Sequence, residues 1–133
     1  MTNVVLSEMS GIKIYDKNLL QYKNFKNSRY DKISESSPCF NDAVVKIANC
    51  QSKVILCGVG KSGLIASKIS ATLASVGTPS FSISASEASH GDLGMISKND
   101  ILILLSYSGK TSELKNIIQY ANRNKIFLIG IVS

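Results

Sequence analysis

Three stretches of this 133-residue sequence combine residue types that can do chemistry together. The first is Gly58-Val59-Gly60-Lys61-Ser62-Gly63, set between the apolar run "VILC" and a helical pattern. Such a turn can present unpaired backbone N–H groups to an anion, and Lys61 adds a full positive charge. The second is "SYSGKTSE", in which Ser106, Ser108 and Thr111 surround Gly109 just ahead of another helical pattern. Hydroxyls and free N–H groups meeting at the positive end of a helix form a cradle for phosphate. The third, "SASEASHGDLGM", holds His90, the one histidine and so the one side chain whose ordinary titration falls near neutral pH.

Each stretch also has a plainer reading. "GKS" at 60–62 matches the end of a P-loop, but the leading glycine would have to stand at 55, which is Ile55, so that motif fails. The G-x-G-x-x-G spacing at 58–63 matches a dinucleotide fingerprint, yet the next strand ends in Ile83-Ser84 with no acid to hold a ribose; Glu87 lies in the loop beyond. A turn serving only close strand–helix packing would leave the lysine unexplained. Serines before a helix are commonly simple caps. Glu113 is not accounted for by a capping box, because position 110 is lysine, so it is either free for chemistry or a favourable first-turn charge. A lone histidine is more often structural than catalytic, but one on a glycine-flanked loop between buried strands is less so.

These residues can cooperate only if the elements between them bring them together. Ser37-Pro38 reads as a helix start, followed by Phe40, Ala43, Val44 and Ile47 at helical spacing. "VILCG" at 54–58 predicts a strand buried on both faces. Ile65, Ile69, Leu73 and Val76 predict the inner face of a helix closing at Gly77. "PSFSIS" (79–84) predicts a second strand, "ILILLS" (101–106) a third, and "IFLIGIV" (126–132) a fourth, with Leu114, Ile117, Ile118 and Ala121 marking the helix before the last. The order predicts an α/β fold, three layers with a mostly parallel sheet of the flavodoxin or Rossmann kind, over residues 37–133. Residues 1–36 show no settled period and are expected to form a loose arm or weak helices. In such sheets ligands sit beyond the carboxyl ends of the strands, which would gather the three loops at one place.

Composition narrows the partners. Fifteen Lys and Arg against nine Asp and Glu give +6, which favours an anionic ligand. No basic stripe with interleaved aromatics appears, so nucleic acid is not expected. Cys39, Cys50 and Cys57 lack C-x-x-C spacing and are expected as reduced thiols, with no metal. The longest aliphatic run, at 101–105, is far too short to span a bilayer, and the N-terminus has no secretory pattern. A cytoplasmic protein without membrane contact is expected.

Taken in order, "GKSG", "GTPSF", "HGDLGM" and the S-x-S-G-x-[ST]-S-E stretch make the region from Val54 to Ser133 resemble the sugar isomerase (SIS) domain. More narrowly, it is similar to arabinose-5-phosphate isomerases of the Kdo branch of lipopolysaccharide and capsule synthesis. The resemblance implies interconversion of ribulose 5-phosphate and arabinose 5-phosphate, a five-stranded parallel sheet, a tetramer, and an appended CBS pair. It puts Lys61, His90 and Glu113 on catalytic positions, and Gly77, Thr78 and the stretch from Asn116 on substrate-contacting ones. An enediol route needs a base poised near neutral pH and donors for a developing oxyanion. Glu113 or His90 would move the proton, Lys61 would stabilise charge, and Ser106, Ser108 and Thr111 would hold the phosphate, with Gly60, Ser62 and His90 also among the substrate-binding residues. The choice between the two candidate bases stays open.

Some members carry a metal-binding histidine where this chain has Ser84, so no zinc site and no cofactor are expected. The sequence stops after its fourth predicted strand, without the fifth strand, the later glutamate and histidine or the CBS pair that the resemblance implies. "IFLIGIV" is therefore expected as an open sheet edge, and the 133-residue chain by itself as inactive. The competing reading is a non-catalytic SIS module that binds a sugar phosphate.

Overall fold

Strongly apolar five- and six-residue runs separated by amphipathic stretches fold here into alternating strands and helices. The computed structural model describes residues 3–7, 38–88 and 91–132. In chain order these are β1 (Asn3–Ser7), α1 (Pro38–Ala48), β2 (Val54–Gly58), α2 (Lys61–Ser75), β3 (Ser80–Ser84) and the single turn α3 (Ala85–Ala88). A 3₁₀ turn at Asp92–Met95, β4 (Ile101–Ser106), a second 3₁₀ turn at Ser112–Leu114, α4 (Lys115–Arg123) and β5 (Phe127–Val132) complete it.

The sheet has the order β1-β5-β4-β2-β3. Its four strands β5, β4, β2 and β3 run parallel. Period-two alternation then sends side chains to opposite faces. Ile55, Cys57, Leu102, Leu104 and Leu128 meet Leu114, Ile117 and Ala121 on one face. Val54, Leu56, Ile101, Ile103 and Ile129 meet Ala43 and Ala66 on the other. The result is the three-layer α/β/α arrangement expected from the sequence, with β2 and β4 buried along their whole length.

Two expectations change. β5 is not an open edge: Asn3–Ser7 pairs with it antiparallel, Val5 opposite Gly130. The short apolar piece "NVVL" stands in a polar stretch without a settled period, and its partner lies at the other end of the chain. The sheet thus has five strands, but the outermost is antiparallel. In α2 the inward face is also shifted from the expected one. Ile65 and Val76 are exposed, whereas Ala66 and Ser70 are buried, with Ile69 and Leu73 packed beside them. Small residues face the sheet there because the start of α2 lies almost against the end of β2.

The end of α2 follows from its backbone. Gly77 has φ +92, and the N–H groups of Gly77 and Thr78 donate to Ala74 and Leu73 carbonyls. That pair of bonds is a Schellman cap, which glycine permits without steric cost.

Candidate functional site

Between β2 and β4 the sheet order reverses: from β2 the chain goes outward to β3, then returns to place β4 on the other side of β2. Helices α2 and α4 leave opposite faces, so a crevice opens above the carboxyl ends of these two strands. Gly58 is in register with both Ser84 and Leu105, and Ser106 with Val132. The glycine turn and the serine loop are therefore neighbours.

The glycines of the turn do different work. A Cβ on Gly58 would meet the Ser62 carbonyl carbon at 2.7 Å and the Gly63 nitrogen at 2.8 Å, both backbone atoms that cannot swing aside. Gly63 is nearly as tight, with the Gly58 oxygen 3.1 Å from its virtual Cβ. Gly60 has open space around it but adopts φ 57, ψ −124, a conformation that side chains disfavour. Close packing and an exposed turn are thus built by the same motif.

α2 begins immediately afterwards with no side-chain cap and no acid in its first turn. Lys61 is its first residue, exposed, where a cation opposes the helix dipole. Ser62 follows, half-buried, its N–H donating to the Val59 carbonyl. An anion placed here would be favoured by the dipole and by the lysine alike.

Across the crevice, Ser106 Oγ lies 2.8 Å from Thr111 Oγ1 and accepts a hydrogen bond from the Gly109 N–H at 3.0 Å. Gly109, at φ +65, carries the loop over Val132 at the end of β5. The Ser108 hydroxyl accepts from the Lys110 N–H, a local turn bond of the capping type. Ser106 is buried, Thr111 half-buried and Ser108 exposed. Glu113 is exposed, and the Ser112 hydroxyl donates to its Oε2 at 2.8 Å. That bond, chiefly, holds the carboxyl below its ordinary range, so it is an ionised and weak base in this arrangement. Asn116 is exposed in the first turn of α4.

Gly60, Lys61, Ser62, Ser106, Ser108, Thr111, Glu113 and Asn116 are all carried by the two loops and helix starts at this end of the sheet. Gly77 and Thr78 are not. They cap the far end of α2 and lead into β3, whose first residue pairs with Val54, so a strand length of about 17 Å separates them from the crevice. Within one chain their observed role is the helix cap. His90 lies outside the described residues. Tyr107, on the same serine loop directly after the buried end of β4, is 80% exposed.

Residues 46–133 match the SIS domain family. The chain belongs to that family. This SIS domain is 49% identical over 94 residues to the arabinose 5-phosphate isomerase KdsD of Yersinia pestis, covering 71% of this chain and 29% of that protein. It is 60% identical over 72 residues to the arabinose 5-phosphate isomerase KpsF of Escherichia coli O6:H1, covering 54% and 22%. The structure of c3406 from E. coli CFT073, a complex with a sugar-phosphate ligand, superimposes with a TM-score of 0.63 at 39% identity, over 85% of this chain and 62% of that one. This SIS domain thus spans less than a third of the length of those two curated relatives. No helix among its described residues is long and apolar enough to cross a membrane.

Proposed function

We propose that the chain is the sugar-phosphate site of an isomerase interconverting arabinose 5-phosphate and ribulose 5-phosphate, serving Kdo or capsule precursor synthesis. One observation carries the reading: an uncapped helix start bearing Lys61 stands beside the Ser106–Thr111 hydroxyl pair at the switch point of the sheet. The relatives named as arabinose 5-phosphate isomerases support the choice of a pentose phosphate, and the ligand complex of c3406 supports a sugar phosphate in this fold. A phosphorylated substrate that cannot cross a bilayer unaided fits a cytoplasmic protein, acting as a homo-oligomer.

In this reading Ser106, Ser108 and Thr111, with the Gly60 N–H and the Ser62 hydroxyl, hold the phosphate. Lys61 stabilises the enediolate oxygen as negative charge develops there. Glu113 or His90 carries the proton between C1 and C2; Glu113 would need its carboxyl raised toward neutrality by substrate closing over it.

Thermal-shift titration tests the ligand. Either pentose phosphate should raise Tm while NAD leaves it unchanged; stabilisation by NAD alone overturns the reading. For catalysis, measured in a full-length context because the 133-residue chain alone is expected to be inactive, Lys61→Ala should lower turnover by about two orders of magnitude or more, the usual loss when one oxyanion partner is removed. His90→Gln should lower turnover more than it lowers Tm. Binding of the sugar phosphate without any turnover in that full-length context would make the non-catalytic module the better account.

A further inference from the structure

At the opposite end of the sheet, the amino ends of β4 and β5 and the carboxyl end of α1 border an open cavity of about 570 Å³. Its lining includes Lys46, Lys98, Lys125, Asn49, Asn99 and the ring of Phe127. Asp100 also borders it, but that carboxylate is taken up elsewhere: Lys53 Nζ lies 2.9 Å from Oδ2, and Ser52 and Ser97 donate to the same group. Among the described residues, Lys46, Lys98 and Lys125 have no acidic partner. Lys46 lies instead over the Phe127 ring, 5.1 Å from its centroid.

Three ammonium groups around one concavity repel each other, and an anion there relieves the repulsion. Helix dipoles draw cations to the ends of α1 and α4 and so account in part for Lys46. They do not account for Lys98, which stands on the turn before β4. Lys125, just past the C-cap Asn124 of α4, is favoured by the dipole in the same way as Lys46, although its φ of 56 would suit glycine better. The volume suits a small molecule rather than a peptide or a helix. We infer that this cavity is a second anion site, which takes a small phosphate-bearing molecule through Lys46, Lys98 and Lys125. β4 separates it from the Ser106 crevice by about 20 Å, so the two sites can be filled independently.

The test is titration of the 133-residue chain with inorganic pyrophosphate at constant ionic strength, read by backbone amide shifts. Saturable shifts are expected at residues 49–51, 98–101 and 125–127. Lys98→Gln with Lys125→Gly should weaken Kd about tenfold or more as two of three cations are lost. Stability should stay near the parent's, because glycine suits φ 56. Ser106→Ala with Thr111→Val should leave these shifts intact, separating them from any phosphate held at the crevice. Shifts that never saturate, saturation confined to residues 58–62 and 106–111, or unchanged affinity in the lysine variant would each overturn the inference. Should the double variant unfold, Lys98→Gln alone must weaken binding, and unchanged affinity there is equally decisive against it.

Discussion

Gly58 and Gly60 sit two positions apart in one turn, yet they should fail for different reasons when substituted. Gly58→Ala drives a methyl into the backbone of Ser62 and Gly63 and should cost about 2 kcal/mol or more in urea unfolding, by overpacking. Gly60→Ala meets no atom within 4 Å, and its cost of about 1–3 kcal/mol is backbone strain alone. Equal stability of either variant with the parent would contradict the geometry. Cys57 offers a separate check. Burial beneath this turn pushes its thiol up to about 12, so it should resist alkylation at pH 8 until the chain unfolds, while the half-buried Cys50 reacts sooner. The motif itself was visible as G-x-G-x-x-G. That its first and third glycines answer to packing and its middle one to conformation was not, because spacing carries no information about which atoms approach.

Strand β1 and helix α2 are where pattern and fold diverge. Ile65 and Val76 are 52% and 73% exposed although, with Ile69 and Leu73, their spacing resembles a buried face; close approach at Gly58–Gly63 favours small residues such as Ala66 and Ser70 inside. The central strands, in contrast, were legible to within a residue, since uninterrupted aliphatic runs have few other uses in a chain of this length. β1 covers the edge of β5 by main-chain pairing. In an antiparallel edge strand every second N–H points at the neighbour, so replacing both Val4 and Val5 by proline must remove a ladder bond. The variant should lose Tm and associate in a concentration-dependent way in sedimentation, as expected of an uncovered apolar edge. A monodisperse variant with parental Tm would show that the pairing contributes nothing.

Among the described residues, the buried Asp100 at the foot of the sheet should contribute strongly to acid sensitivity. Burial raises the Asp100 carboxyl, but hydrogen bonds from Ser52, the Ser97 N–H, Lys53 and the Ser97 hydroxyl outweigh it and leave it at about 2. The folded value lies below the unfolded one, so the contribution is present above about pH 4 and disappears as pH falls toward 2. That difference from the ordinary carboxylate value corresponds to about 2 kcal/mol. Asp100→Asn should lose a similar amount at pH 7 and show a flatter acid limb; a parallel acid limb in the variant would assign the effect elsewhere.

Periodicity and punctuation in the linear chain were sufficient for four strands, the helices between them, their parallel order and the two loops rich in glycine and hydroxyls, because those features depend on residue type within a few positions. The covering of β5 by Asn3–Ser7, the inward turn of Ala66 rather than Ile65, and the removal of Gly77 and Thr78 from the crevice all depend on contacts between positions far apart in the chain or on which end of a strand a loop occupies. Asp100 illustrates the same limit: in the sequence it is one acid in the turn "SKND", and only the folding of Ser52 and Lys53 from 47 positions or more away makes it a buried anchor. Local propensity acts over neighbours, whereas register, burial and charge pairing are settled by the sheet as a whole.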